Sequence, residues 1–566
     1  MIGVVAPGSR REVVSEFFEL FKTPWEFVDA NRNYEVVLIA GDAEFDGSLA
    51  KLVLHYSAAK LAMDAAEGVA IDSRKSDRVL LDRCGRLPVF KECLAFRTEG
   101  DGLRIEGESQ VRASYHRVRN NQHAVRVGFD LFAEIETLLT IGQDAQFAQI
   151  PTIDRHIAFI RELMIQSGAS FVEIPPAPAG HPFIACLTHD VDHPALAFHK
   201  LDRTACGFLL RATVGSALDF LKGKTRVREL LRNLLAAMKL AFVYLGWAED
   251  FWAGFERRYS AVEKGLPSTY FILPFKGIPG RTREGEAPKL RASGYGAKEI
   301  EKSLASIRDS GCEVATHGIN AWLTAEEAWR EMREVQAISK GSERGVRMHW
   351  LYFDEQSPAV LERAGANYDS TVGYRDTVGF RSGTTQAFKP FNADHLLELP
   401  LTVMDTALFY PAYLDLSQAE AVPILRETVA RVAEFGGCIT VNWHDRSLAP
   451  ERQWRESYEA LLEDLRGQNA WFATASQAAA WFQNRRSAKF QYDEKGERLV
   501  GITTVKPSKG GLPGLQLRIY SAQNLSRDMA PGAARFMQME FSEDIKLSTE
   551  SGDAAELTAD CEPIHL

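Results

Sequence analysis

The stretch Ile184-Ala-Cys-Leu-Thr-His-Asp-Val-Asp-His193 decides how this chain is read. It begins as a short apolar run and ends in alternating histidines and aspartates, the pattern of a buried strand that delivers polar residues at its C-terminal end. The same form recurs downstream in STYFILPF, CEVATHG, GVRMHWL, NYDSTVGY, LLELPLTV, CITVNWHD and AWFATAS. Amphipathic stretches separate several of these runs, among them TAEEAWREMREVQAIS, SPAVLERAGA and WRESYEALLEDLRG. Thr324 followed by Glu327 reads as a capping box, and Ser357–Pro358 as an N-cap with proline in the first turn. About eight strands alternating with helices predict a parallel sheet, with closure into a β/α barrel as the leading architecture. An open doubly wound sheet gives the same alternation.

Parallel strands in a barrel point one way, so their C-terminal ends meet on one face. His189, Asp190 and Asp192 close the first run, and His317 and His349 the third and fourth. Asp405 follows the sixth, and His444 with Asp445 ends the seventh. Two aspartates at a spacing of two can divide labour, one coordinating a divalent ion while the other accepts a proton from activated water. The same residues also fit an Asp-rich turn that caps the following helix.

On these motifs the chain resembles the polysaccharide deacetylase family, the family-four type of carbohydrate esterase, which has a distorted β/α barrel. The resemblance covers about 183–486. LTHDVDH resembles the family's T-F-D-D-G motif with the second aspartate moved one place on, which implies Asp190 as base and Asp192 as metal ligand. HGINAW resembles the H-S/T-x-x-H motif through His317, but Ala321 stands where the second histidine belongs. Asn320 is a weak neutral substitute, and Trp322 a candidate to stack on a sugar ring. Arg347-Met-His349 resembles R-x-P with histidine in place of proline, so His349 becomes the candidate third ligand. Asp405 in LPLTVMDTA and His444 in ITVNWHD match the last two motifs, and His444 is the implied acid for a departing amine. The implied substrate-binding residues are Arg347, His189, Asn320 and Trp322. The implied cofactor is a divalent metal, most simply Zn2+, and the implied substrate an N-acetylated polysaccharide or glycan precursor. A deacylase of a non-sugar amide and a non-catalytic glycan-binding protein are the alternatives, the latter motivated by the missing second histidine.

Around this region the chain is ordinary for a globular protein. Its 566 residues are 45% hydrophobic and 25% charged, which excludes a disordered or collagen-like chain. A net charge of −10 argues against nucleic acid as a partner. Seven scattered cysteines without a CxxC suit a reducing compartment, and a cytoplasmic location is expected. Residues 1–175 read as a mixed α/β domain in which MIGVVAPG and YEVVLIAGD are strands and REVVSEFFELF a helix. A proline-rich linker is expected at 172–182, and a small β module at 487–566 with a turn at Lys495–Gly496 and an acidic tail after 549.

One segment departs from the acidic average. Arg203 to Trp247, within an insertion at 203–250, holds eight basic residues and two acidic ones on two stretches with helical apolar spacing. Packing against the rest of the protein or a lid over the barrel mouth is the leading reading. Peripheral contact with an anionic membrane is the alternative.

Overall fold

The computed structural model describes residues 1–549, apart from 30, 44–49, 84, 201, 224, 494–498, 505–510 and 521–535, together with 557–559. The chain divides into two compact units. One comprises 1–180, 382–384 and 480–566, and the other 181–381 and 385–479.

The first unit contains the expected Ile2–Val5 and Val36–Ala40 strands, joined through the Arg11–Phe21 helix that buries Val14, Phe17 and Phe21. They sit in a six-stranded, largely parallel sheet, and residues 70–112 form a second, antiparallel sheet of six strands. The C-terminal segment is part of this unit and not a separate module, because Leu515–Tyr520 pairs with Phe171–Glu173. The expected linker at 172–182 therefore begins inside a strand. The turn at Lys495–Gly496 and most of the tail after 549 lie outside the described residues.

The second unit is built on an all-parallel sheet. Its strands are β1 (Ile184–Val191), β2 (Ser268–Ile272), β3 (Glu313–Gly318), β4 (Gly345–Met348), β5 (Tyr368–Asp369), β6 (Leu397–Glu398), β7 (Val403–Met404), β8 (Cys438–Asn442) and β9 (Trp471–Phe472). The order is β6-β5-β4-β3-β2-β1-β8-β7, with β9 also on β1. The two outermost strands are halves of one stretch of chain. Leu399 N–H donates to Asp369 O and Leu401 N–H to Val372 O on one side, and Thr402 N–H donates to Thr440 O on the other. The segment 397–404 thus passes its hydrogen bonding from one end of the sheet to the other, and the sheet closes as a distorted β/α barrel.

Strands buried along their whole length fit this arrangement because helices cover the outer surface. Ala325–Ser339 forms as its sequence predicts, with Thr324 Oγ1 accepting the Glu327 N–H. At the next helix the cap shifts, since Asp354 Oδ1 takes the Ser357 N–H and Ser357 is already the first helical residue. Close approach also dictates Gly345, where a Cβ would lie 1.9 Å from the Tyr368 ring. That ring is fixed by its hydroxyl, which donates to Glu313 Oε1 at 2.7 Å.

Candidate metal centre

Successive residues of an extended strand face opposite ways, so Thr188 and Asp190 share one face of β1 while His189 takes the other. Asp192 follows two residues after Asp190, just beyond the strand end. Three other strand ends converge on it: His317 on β3, His349 after β4 and His444 after β8.

Asp192, His317 and His349 form a compact triangle. His349 Nδ1 lies 3.1 Å from His317 Nε2, and Asp192 Oδ1 lies 3.3 Å from the first and 3.5 Å from the second. The other nitrogen of each ring meets a carbonyl oxygen, which can only accept. His317 Nδ1 donates to Arg347 O at 2.9 Å, and His349 Nε2 to Arg291 O at 3.2 Å. In a neutral ring the nitrogen turned into the triangle is then a lone pair. Burial holds His349 below the ordinary imidazole value, which favours its neutral form. Two facing lone pairs and a buried carboxylate oxygen with no hydrogen bond are unfavourable neighbours unless a cation sits among them. Their separations also match the edge of a tetrahedron with metal–ligand bonds of about 2.0–2.1 Å, roughly 3.3 Å. The donor set fits a divalent ion.

The backbone at this corner is held under strain. Trp350 and Leu351, directly after His349, have φ of 64° and 52°. Non-glycine residues adopt such values at a cost of about 1–2 kcal/mol each. Arg291 fixes the turn from the other side by donating to His349 O at 2.7 Å and to Ile319 O at 3.1 Å.

Asp190 sits beside the triangle, its Oδ2 3.9 Å from His317 Nε2. It is buried, and its oxygens accept from Arg347 Nη1 at 2.9 Å and Asn442 Nδ2 at 2.7 Å. Burial opposes its charge, but the Arg347 guanidinium, then His317 and His444, outweigh burial and hold the carboxyl below its usual range. Arg347 is itself fixed by Thr188 Oγ1, Ser370 O and Ser370 Oγ, and lies over the Phe271 ring.

On another flank His444 Nδ1 donates to Asp405 Oδ1 at 2.6 Å, and its Nε2 lies 3.9 Å from Asp192 Oδ2. Asp405 is buried and also accepts from the His444 N–H and the Ser447 hydroxyl. Burial works against a charged imidazole, but Asp405, with Asp192 and Asp190 behind it, raises His444 to about 10. A carboxyl held below its usual range and an imidazole raised to about 10 therefore stand on two sides of the triangle.

Of the ten site residues named from the sequence, the structure brings seven together: Asp190, Asp192, His317, His349, Arg347, Asp405 and His444. It takes three elsewhere. His189 faces away, stacked near Tyr259 and Tyr270, with its ring nitrogens on Trp443 O and Glu263 Oε1. Asn320 Oδ1 accepts the Arg281 N–H, and its own N–H goes to Glu331. Trp322 is core, packed with Met332, Met348 and Leu361. Arg347 touches Asp190 and not the open side of the triangle, so it positions the carboxylate.

Sequence reasoning passed over Asn442 and Arg291. Asn442 carried a signal, since it lies on the same alternating face of the ITVNWHD run as His444. Arg291 carried none, because it reaches the site from a loop between strands. Asp445 was noted at its strand end. It accepts the His193 and Arg446 N–H groups, and burial, with Asp192 nearby, pushes it up to about 7.

No family model matches this sequence, and no curated protein matches it. Solved structures do. One from Mycobacterium smegmatis, described as a polysaccharide deacetylase, is 18% identical with a TM-score of 0.34 and matches over 55% of this chain and 95% of its own. A family 4 carbohydrate esterase from Streptomyces lividans, in complex with acetate, is 12% identical with a TM-score of 0.24, over 52% and 91%. A pseudoenzyme of the same family from Bacillus anthracis is 12% identical with a TM-score of 0.23, over 53% and 66%. With enzymes and a pseudoenzyme alike at these values, the chemistry of this chain has to be read from its own side chains.

Proposed function

We propose that this chain is a metal-dependent hydrolase that removes N-acetyl groups from the sugar units of a polysaccharide or glycan precursor. The observation that carries the reading is the triangle of Asp192 Oδ1, His317 Nε2 and His349 Nδ1, whose edges run from 3.1 to 3.5 Å while the outer nitrogen of each ring faces a carbonyl oxygen. Two imidazoles and one carboxylate suit zinc best among common divalent ions. When bound there, zinc supplies a Lewis acid for an acyl carbonyl and lowers the pKa of water.

The chain's own residues divide the proton transfers. Asp190, kept ionised by Arg347 and Asn442, accepts the proton of the attacking water at the edge of the triangle. His444, kept protonated by Asp405, donates from Nε2 to the departing amine. Acetate and a free amino sugar are the products. The acetylated sugar as substrate rests on the motif resemblance, and the hydrolytic chemistry rests on the geometry.

The test is acetate release from N-acetylglucosamine oligomers by zinc-reconstituted protein. Asp190→Asn should retain bound zinc and lose acetate release by a factor of about 100 or more. Full turnover in that variant, or a wild-type protein that takes up no metal, refutes the reading.

A further inference from the structure

The segment between β1 and β2 forms a helix over 203–221, continued through a π-turn at Arg211–Gly215, and a second helix at Val227–Tyr244. Fourteen of the twenty large apolar side chains that stand exposed among the described residues lie between 209 and 247. Leu210, Leu221, Leu231, Met238 and Trp247 are each 60–78% exposed. Soluble surfaces rarely gather apolar side chains in this way unless something covers them.

The second helix has two apolar faces, and only one is used internally. Ala236, Leu240 and Val243 are buried, the first two with Leu196, Phe208 and Trp252 in one apolar cluster. Asn233, on the same side, donates to Ser216 Oγ and accepts from Gln453 Nε2. The opposite face presents Val227, Leu231, Leu234, Met238, Phe242 and Leu245 to the exterior. At 100° per residue these six fall within a sector of about 80°. Arg228, Arg232 and Lys239, all exposed, follow within the next ~80°. On the first helix Leu210, Val214, Leu218 and Leu221 continue the pattern, and Trp247 closes it beside Phe242.

Charge selects among occupants. The segment holds eight basic and two acidic residues in a chain of net charge −10. One of the two acids, Glu229, is engaged in accepting the Arg226 N–H at a helix start. A second copy of this chain would set one basic rim against another, whereas an anionic lipid surface complements it. The 203–221 helix is long and apolar enough to cross a membrane, with a mean hydropathy of 1.2. Yet Phe208, Ala212 and Ser216 are buried along one side, so lipid cannot surround it.

We propose that this helical pair docks the protein on an anionic bilayer, lying in the plane of the interface. The outward leucines, Met238 and Phe242 enter the acyl boundary, and Arg228, Arg232 and Lys239 reach the headgroups. The docking is independent of the chemistry proposed for the metal centre.

Flotation of the full chain with vesicles of phosphatidylcholine, with and without phosphatidylglycerol, tests this. Binding to the anionic vesicles and much weaker binding to the neutral ones is expected. Replacing Arg228, Arg232 and Lys239 together by glutamine should weaken binding about 100-fold. Leu231→Glu with Met238→Glu should abolish it, and because both sites are exposed the fold should survive, as circular dichroism will show. Wild-type protein that stays with the buffer in both vesicle types overturns the proposal. So does a stable dimer that these glutamate variants dissociate, since the face would then belong to a second copy.

Discussion

Arg347→Met isolates the electrostatics on which the proton acceptor depends. The wild-type guanidinium is buried and makes its hydrogen bond to Asp190 Oδ1 at 2.9 Å, and methionine fills much of its volume without charge. Asp190 then keeps only the Asn442 amide as a side-chain donor, at 2.7 Å. The folded wild-type carboxyl lies below its usual range, so its contribution to stability is present above the unfolded pKa and is lost only as pH falls through the folded value. Between pH 5 and 7 that contribution is constant. The variant loses the largest opposing charge and keeps only His317 and His444 against burial. The expectation is that burial then lifts the folded pKa above the unfolded value, so that the penalty grows with pH. Protonation caps it, because a carboxyl that costs more to ionise than to protonate stays neutral. With an unfolded pKa of about 3.9 and about 1.36 kcal/mol per unit, the cap is roughly 4 kcal/mol at pH 7 and roughly 1.5 kcal/mol at pH 5. Urea unfolding in chelator, followed by tryptophan fluorescence at both pH values, should show the variant's deficit shrinking at the lower pH, by at most about 2–3 kcal/mol. Adding Asp190→Asn should recover that pH-dependent part and leave the lost Ser370 and Thr188 contacts. A deficit equal at pH 5 and pH 7, or no recovery in the double variant, refutes the reasoning.

Three further outcomes follow from the same geometry. His349→Ala should lower zinc affinity at least ~100-fold in competition with a chromophoric chelator, while Asn320→Ala leaves it unchanged. In pH–rate profiles, Asp405→Asn should move the alkaline limb from near the His444 value of about 10 toward the ordinary imidazole value, because the carboxylate that favours the charged ring is gone. Gly345→Ala places a Cβ 1.9 Å from the Tyr368 ring and should cost about 3 kcal/mol or more in thermal or urea unfolding, with Tyr368→Ala partly restoring it.

The barrel was legible because buried parallel strands write themselves as short apolar runs, and because their polar residues collect at one end. Closure rested on the strand count and the motif resemblance, because periodicity alone does not show it. It depends on Leu397–Met404 pairing with β5 through its first half and β8 through its second, and LLELPLTV has no periodicity that distinguishes one partner from two. The fate of 487–566 was hidden for a similar reason. LQLRIY reads as a half-buried strand, but an alternating pattern names no partner, and here the partner is Phe171–Glu173, more than three hundred residues earlier.

The site shows where spacing informs and where it misleads. Asp190 near the end of β1 and Asp192 in the bend just after it both approach His317 Nε2, at 3.9 and 3.5 Å, so the displaced second aspartate brings both carboxylates to the same histidine. Strand alternation removes His189, which a list of polar residues at a strand end had admitted. The third corner of the triangle comes from the neighbouring strand. β3 and β4 pair with His317 opposite Arg347, so His349 is carried just past the pair and turned back by the positive φ of Trp350 and Leu351. Register and one strained turn thus bring His349 to His317, and the Arg347 carbonyl that meets His317 Nδ1 comes from the strand whose side chain holds Asp190. A change at β4 therefore acts on the metal triangle and on the proton acceptor together, which is why His349→Ala and Arg347→Met are expected to separate them only when zinc affinity and pH-dependent stability are both measured.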